Sequence, residues 1–101
     1  MKLFAIRRRS AWADAAELGT IATKSAEIGN SEMADRVRWI RSYVVAETDG
    51  RLGTICIYEA RDEASLREHA ARVGMPGDEI DAIADTVVVR ADPAQSASTA
   101  A

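Results

Sequence analysis

Two strand-type stretches flank a single turn and fix much of what this chain can fold into. Residues 37–45 are rich in β-branched and aromatic side chains, as a half-buried strand requires. Asp49-Gly50 supplies the turn, and residues 53–59 read as a second strand, so the pair forms a β-hairpin. Alternation sends Val37, Trp39, Arg41 and Tyr43 to one sheet face, and Ile40 and Val44 to the other. By the same parity Tyr58 joins Trp39 and Tyr43, and Cys56 joins Tyr58.

The rest of the chain builds around that hairpin. Residues 2–8 read as a first strand, with Arg7 on the face of Leu3 and Ala5. Asp14 and Glu17 make a helix start, and Leu18, Ile21, Ala22, Ser25 and Ile28 follow at helical spacing up to a Gly29-Asn30 stop. Residues 31–36 form a polar connection. After the hairpin, Asp62 caps a second helix whose buried stripe is Leu66, Ala70 and Val73. Gly74 ends it and Pro76-Gly77 forces a bend. Asp78 is expected to open one further helical turn to residue 83, and residues 86–90 to form the last strand. Residues 91–101, rich in Ala, Ser and Thr, are expected to form a disordered tail.

The order strand, helix, strand, strand, helix, strand is the ferredoxin-like βαββαβ arrangement, of α+β class. It is expected to occupy residues 1–90 as a single domain, with two helices on one face of a four-stranded antiparallel sheet. Trp39, Tyr43 and Tyr58 on the open face are too much aromatic area to leave in water. A homodimer, its two sheets enclosing a dimeric α/β barrel, is the expected remedy.

Composition excludes several function classes. The 101 residues allow one domain, and a net charge of -3 argues against a nucleic-acid footprint. The only basic run, Arg7-Arg8-Arg9, reads as a solvated strand end. No apolar run approaches the roughly 20 residues that span a bilayer. The single cysteine, Cys56, fits a reducing compartment, and with no signal-peptide pattern after Met1 a cytoplasmic location is expected.

Several segments carry a more specific likeness. They are Trp39-Ile40-Arg41-Ser42-Tyr43-Val44, Cys56-Ile57-Tyr58-Glu59-Ala60, Asp62-Glu63-Ala64, Arg67-Glu68-His69-Ala70 and Gly74-Met75-Pro76. Through them the chain resembles a family of small bacterial ferredoxin-like proteins described as nickel-binding, formerly a domain of unknown function. The resemblance implies a dimeric α/β barrel with a cavity for a metal or a small molecule. It also marks two departures. Where the family carries histidine this chain has Arg41, and where it carries a glutamate before the strand-one arginine this chain has Arg7. A histidine and a carboxylate suit a metal such as nickel, whereas an arginine keeps its proton and has no lone pair to give.

The candidate site residues follow from this. Arg7 and Arg41 lining one cavity would clamp a carboxylate or phosphate through paired planar hydrogen bonds, or each could simply pair with an internal acid such as Glu59. Trp39, Tyr43 and Tyr58 would pack the remainder of a ligand or form the dimer interface. A metal site would have to draw on Cys56, Glu59, His69 or the second subunit. Cys56 reads otherwise as a small hydrophobe, and His69, the only histidine, as a core-edge residue. The acids Asp78, Glu79, Asp81 and Asp85 read as a solvated face.

The leading functional reading is a homodimeric binding protein whose interior cavity takes a small anionic or aromatic molecule. One alternative is a cofactor-free enzyme of oxygenase, isomerase or cyclase type, acting on a carboxylated or phenolic metabolite. Arg41 would then stabilise developing charge, and Tyr43 or Tyr58 would exchange a proton. Two others are a nickel-binding protein like the relatives, and an interaction module with no ligand.

Overall fold

The computed structural model describes residues 1–93. Six elements succeed one another: β1 (Lys2–Trp12), α1 (Ala15–Asn30), β2 (Val37–Ala46), β3 (Leu52–Ala60), α2 (Glu63–Val73) and β4 (Glu79–Ala82). The sheet is antiparallel throughout, in the order β2-β3-β1-β4. Both helices start on an aspartate, whose carboxylate accepts from an otherwise unpaired backbone N–H: Asp14 from Glu17, Asp62 from Ser65. Gly74 closes α2 in the left-handed conformation, with φ 86°.

The register sorts side chains between two faces. Phe4, Ile6 and Arg8 pair with Tyr58, Cys56 and Thr54 on the side that α1 and α2 cover. Leu3, Ala5 and Arg7 pair with Glu59, Ile57 and Ile55 on the open side. The core is Phe4, Ile6, Cys56 and Tyr58 of the first set, with Ala60, closed by Leu66 and Val73 of α2, Ile28 of α1, and Met33 and Val37.

Strict alternation fails in β2, with consequences for the site. Trp39 pairs with Tyr58, but Arg41 pairs with Ile57, so Ile40 is an extra residue in a β-bulge. One inserted residue exchanges the faces of everything beyond it. Trp39 therefore lies on the helix side with Ser42 and Val44, while Arg41 and Tyr43 face the open side beside Ile57 and Ile55. Cys56 and Tyr58 are on the helix side too, 4% and 1% exposed. The expected set Trp39, Arg41, Tyr43 and Tyr58 is thus split between two faces.

The fourth strand also differs from expectation. Residues 79–82, expected as part of a helical turn, form β4, with Ile80 opposite Ile6 on the core side and Glu79 and Asp81 outward. A short edge strand bearing outward acids resists pairing with a stray chain. Residues 86–90 form no strand, and Val87, Val88 and Val89 are 87%, 74% and 83% exposed. Three valines satisfy a propensity rule, but β4 already occupies the edge beside β1. The expected tail, 91–101, lies outside the described residues apart from Ala91, Asp92 and Pro93.

Candidate ligand-binding cavity

The three consecutive arginines of β1 have three different fates. Arg7, on the open side, is held by both carboxylate oxygens of Glu47 at 3.0 Å, and Glu47 also accepts from the Ser10 backbone N–H. The Ser10 bond and then Arg7 hold the Glu47 carboxyl below its ordinary range. Arg9 pairs with Glu79 in the open. Arg8 goes inward and is 2% exposed.

Arg8 is the unusual residue of the molecule. Its Nε donates to the Pro76 carbonyl at 2.5 Å and its Nη1 to Cys56 Sγ at 3.3 Å. Its Nη2 has no partner, and among the described residues no carboxylate lies within ion-pairing distance. A buried guanidinium without a counter-charge costs several kcal/mol, and proteins seldom retain one for stability.

A cavity of about 510 Å³ lies alongside it, between α1 and the sheet. Leu18, Ile21 and Ala22 of α1, the N-terminal half of the helical stripe, form one wall, and Ile21 also packs against the core. Trp12, Val44 and Met75 add apolar surface, and Trp39, Ile40 and Arg41 also border the cavity. The polar groups come from β1, β2, β3 and α1. Besides Arg8 and Arg41 they are Ser42, Thr54, Cys56, Tyr58 and Ser25, and among the described residues the hydroxyls of Thr54 and Ser25 are likewise buried without partners. Mostly apolar walls with a few convergent polar atoms characterise small-molecule sites, and this volume is within their range of roughly 300–1,000 Å³.

The aromatic residues around this space are tied together. Trp39 stacks on Tyr58 at 6.4 Å and donates through Nε1 to Ser42 Oγ at 2.8 Å. Tyr58 meets His69 edge-on at 5.7 Å, and His69 Nε2 is 3.1 Å from the Ser25 carbonyl. Burial raises the Tyr58 phenol above its ordinary value.

His69 is 2% exposed, and burial pushes its imidazole below the ordinary value of 6.5, with the nearby charge of Arg8 acting in the same direction. The consequence for stability has a definite sign. Above pH 6.5 both folded and unfolded states hold His69 neutral. Below it the unfolded chain takes up a proton that the folded chain refuses, so stability falls as pH falls. The lowered carboxyls of Glu47, Asp62, Glu68 and Asp92 act in a more acidic range. Urea unfolding at intervals from pH 7 to 5 should therefore show a loss of up to about 1.4 kcal/mol per pH unit. His69→Phe should flatten that slope, since the chain has no other histidine.

The remaining expected site residues lie elsewhere. Arg41 Nη1 and Tyr43 Oη both donate to Asp92 Oδ2, at 2.8 and 2.6 Å, on the open side. Arg7 and Arg41 therefore hold separate acids and clamp no common group. Glu59 faces the open side and pairs with Arg38 at 3.3 Å, whereas Cys56 and His69 lie under the helices. Cys56, Glu59 and His69 do not converge, and no cluster of three or more candidate metal ligands occurs among the described residues. Among the described residues the chain assembles no donor set that fits nickel. Arg8, the residue that sequence reasoning missed, had a usable signal: it shares the parity of Phe4 and Ile6, two core residues.

The match to known proteins follows the same architecture. The family described as nickel-responsive protein, SCO4226-like, matches residues 4–83. The chain belongs to the SCO4226-like family. That assignment agrees with the resemblance seen in its segments from Trp39 to Pro76. The crystal structure of SCO4226 from Streptomyces coelicolor A3(2) is similar, with a TM-score of 0.66 at 15% identity. The likeness covers 84% of this chain and 99% of that one, and at this identity it shows a common fold. Curated proteins gave no match. No helix among the described residues is long and apolar enough to cross a membrane.

Proposed function

We propose that this member of the SCO4226-like family is a small-molecule binding protein that takes an organic anion into the cavity between α1 and the sheet. The observation that carries the proposal is Arg8, a buried guanidinium whose Nη2 has no partner and which has no acid beside it among the described residues. A carboxylate or phosphate on the ligand supplies the missing counter-charge, and the unpartnered Thr54 and Ser25 hydroxyls complete its hydrogen bonding. Trp12, Trp39 and Tyr58 surround the rest of the molecule, which favours an aromatic or branched apolar body. The ligand thus belongs on the helix side, away from the open face where sequence parity had put it.

The open face supports the homodimer. Ile55 is 37% and Tyr43 42% exposed there, beside Ile57 and Ala5, an apolar strip of the kind that a second copy covers. On this reading each subunit carries its own cavity, and the barrel between the sheets is an interface. The family's response to nickel, if this chain shares it, would draw ligands from two subunits, because one does not assemble them.

Native mass spectrometry of untagged protein, purified without chelators, tests both parts. The expected spectrum is a dimer carrying up to one small organic acid per subunit. A monomer would overturn the interface, and a dimer holding stoichiometric nickel with no organic anion would transfer the function to the metal.

A further inference from the structure

Cys56 is the chain's only cysteine, and its sulfur has two donors on it inside the cavity. Ser42 Oγ donates at 3.0 Å and Arg8 Nη1 at 3.3 Å. A small buried hydrophobe needs neither. The two donors fix the position of the sulfur in the cavity wall, beside the Arg8 guanidinium. The second observation is independent of the sulfur: Arg8, 2% exposed and lining the same cavity, keeps Nη2 unpartnered.

We propose that the cavity directs small carboxylic acids with an electrophilic carbon next to the carboxylate onto Cys56 Sγ, which becomes alkylated. The inference rests on the anion-binding reading above, because one guanidinium serves both partners. Nη1 holds the sulfur and Nη2 receives the carboxylate, so the carbon adjoining that carboxylate is delivered beside the nucleophile. Proximity of this kind is the main source of rate in such a reaction. With an α-halo acid, Sγ forms a bond to the α-carbon as the carbon–halogen bond breaks. The halide leaves with the bonding pair, and the thiol proton passes to water. The step needs no oxidant or reductant. Ser42 orients the sulfur and is itself held by Trp39 Nε1, which connects the nucleophile to the rim of the cavity.

Iodoacetate and iodoacetamide make the test, since they deliver the same electrophile with and without a negative charge. An unassisted thiolate repels the anion and reacts faster with the amide. In the folded protein iodoacetate should be faster by at least about tenfold, the factor that one charge-assisted hydrogen bond supplies. Intact mass reports the rates, and Cys56→Ser gives the blank. Arg8→Met should restore the preference for iodoacetamide, and in the wild type an excess of propionate should slow iodoacetate alone. This second arm needs no variant to fold. A faster reaction with iodoacetamide in the wild type would overturn the proposal, as would a thiol inert to both reagents until urea unfolds the chain. If benzoate quenches the fluorescence of Trp12 and Trp39 while the thiol stays inert, anion binding stands and the nucleophile alone is lost. With neither quenching nor anionic preference, both readings fall.

Discussion

Replacing Arg8 with methionine is expected to leave the protein folded, with a melting temperature at or above that of the wild type, and to abolish its stabilisation by organic anions. Few arginine variants behave this way. Arg8 is 2% exposed and has no acid within reach among the described residues, so the unliganded fold bears an uncompensated charge. Exchanging a buried ionic group for an apolar side chain of similar volume is often neutral, or stabilising by about 1–4 kcal/mol. Against this, the Pro76 carbonyl loses the Arg8 Nε–H, a bond worth about 1 kcal/mol. The two effects nearly cancel or favour the variant. The ligand loses a charge-assisted interaction of about 1.5–3 kcal/mol, so its affinity should fall by roughly 10- to 150-fold. Melting curves with and without benzoate read both quantities. A variant that melts far lower yet still binds benzoate would make Arg8 a strut between Pro76 and Cys56 and not an anion anchor.

Leu66→Ala should be the most damaging of the simple core substitutions, and Val88→Ser should have no measurable effect. Leu66 is wholly buried in α2 against the helix side of the sheet. Its truncation should cost about 2–5 kcal/mol, or roughly 10–30 °C in a domain of this size. Val88 is 74% exposed and belongs to no strand, so its replacement should stay within about 0.5 kcal/mol. Chemical unfolding of the two variants decides the position of the fourth strand. If Val88→Ser cost as much as a core change, residues 86–90 would be the strand that their composition resembles.

That pair of variants also marks what the chain's pattern made legible. Element order, both helix starts at Asp14 and Asp62, the Gly74 stop and the Asp49-Gly50 hairpin follow from local chemistry: capping oxygens, a left-handed glycine and runs of β-branched residues. The fourth strand was hidden because Glu79-Ile80-Asp81-Ala82 presents a single half-buried apolar side chain and two acids, while three consecutive valines lie close behind. An edge strand is selected by what its neighbour leaves unpaired, here the β1 residues from Phe4 to Arg7, and not by its own propensity.

The site was harder for a different reason. Alternation places side chains by counting in twos, and one inserted residue at Ile40 reverses the count between Trp39 and Arg41. Period-2 reasoning cannot detect a bulge. The same reasoning set Tyr58 beside Tyr43, whereas the pairing of Tyr58 with Phe4 buries it under α2. Arg8 was legible in principle, since alternation from Ile6 points it inward. The expectation that charged runs stay in water masked it, and that expectation holds for Arg9 but not for its neighbour.

Which side of the sheet receives the ligand decides between the cavity under α1 and the open face. The most direct measurement is a two-dimensional ¹⁵N–¹H NMR titration with benzoate, using benzamide as the uncharged control. The chain has two tryptophans, Trp12 and Trp39, and both border the cavity under α1. Benzoate is expected to shift both indole N–H signals and the side-chain Nε–H of Arg8, while benzamide moves them far less. Shifts confined to the open-face amides of Tyr43, Ile55 and Ile57, or none in the indole signals at saturating benzoate, would contradict it.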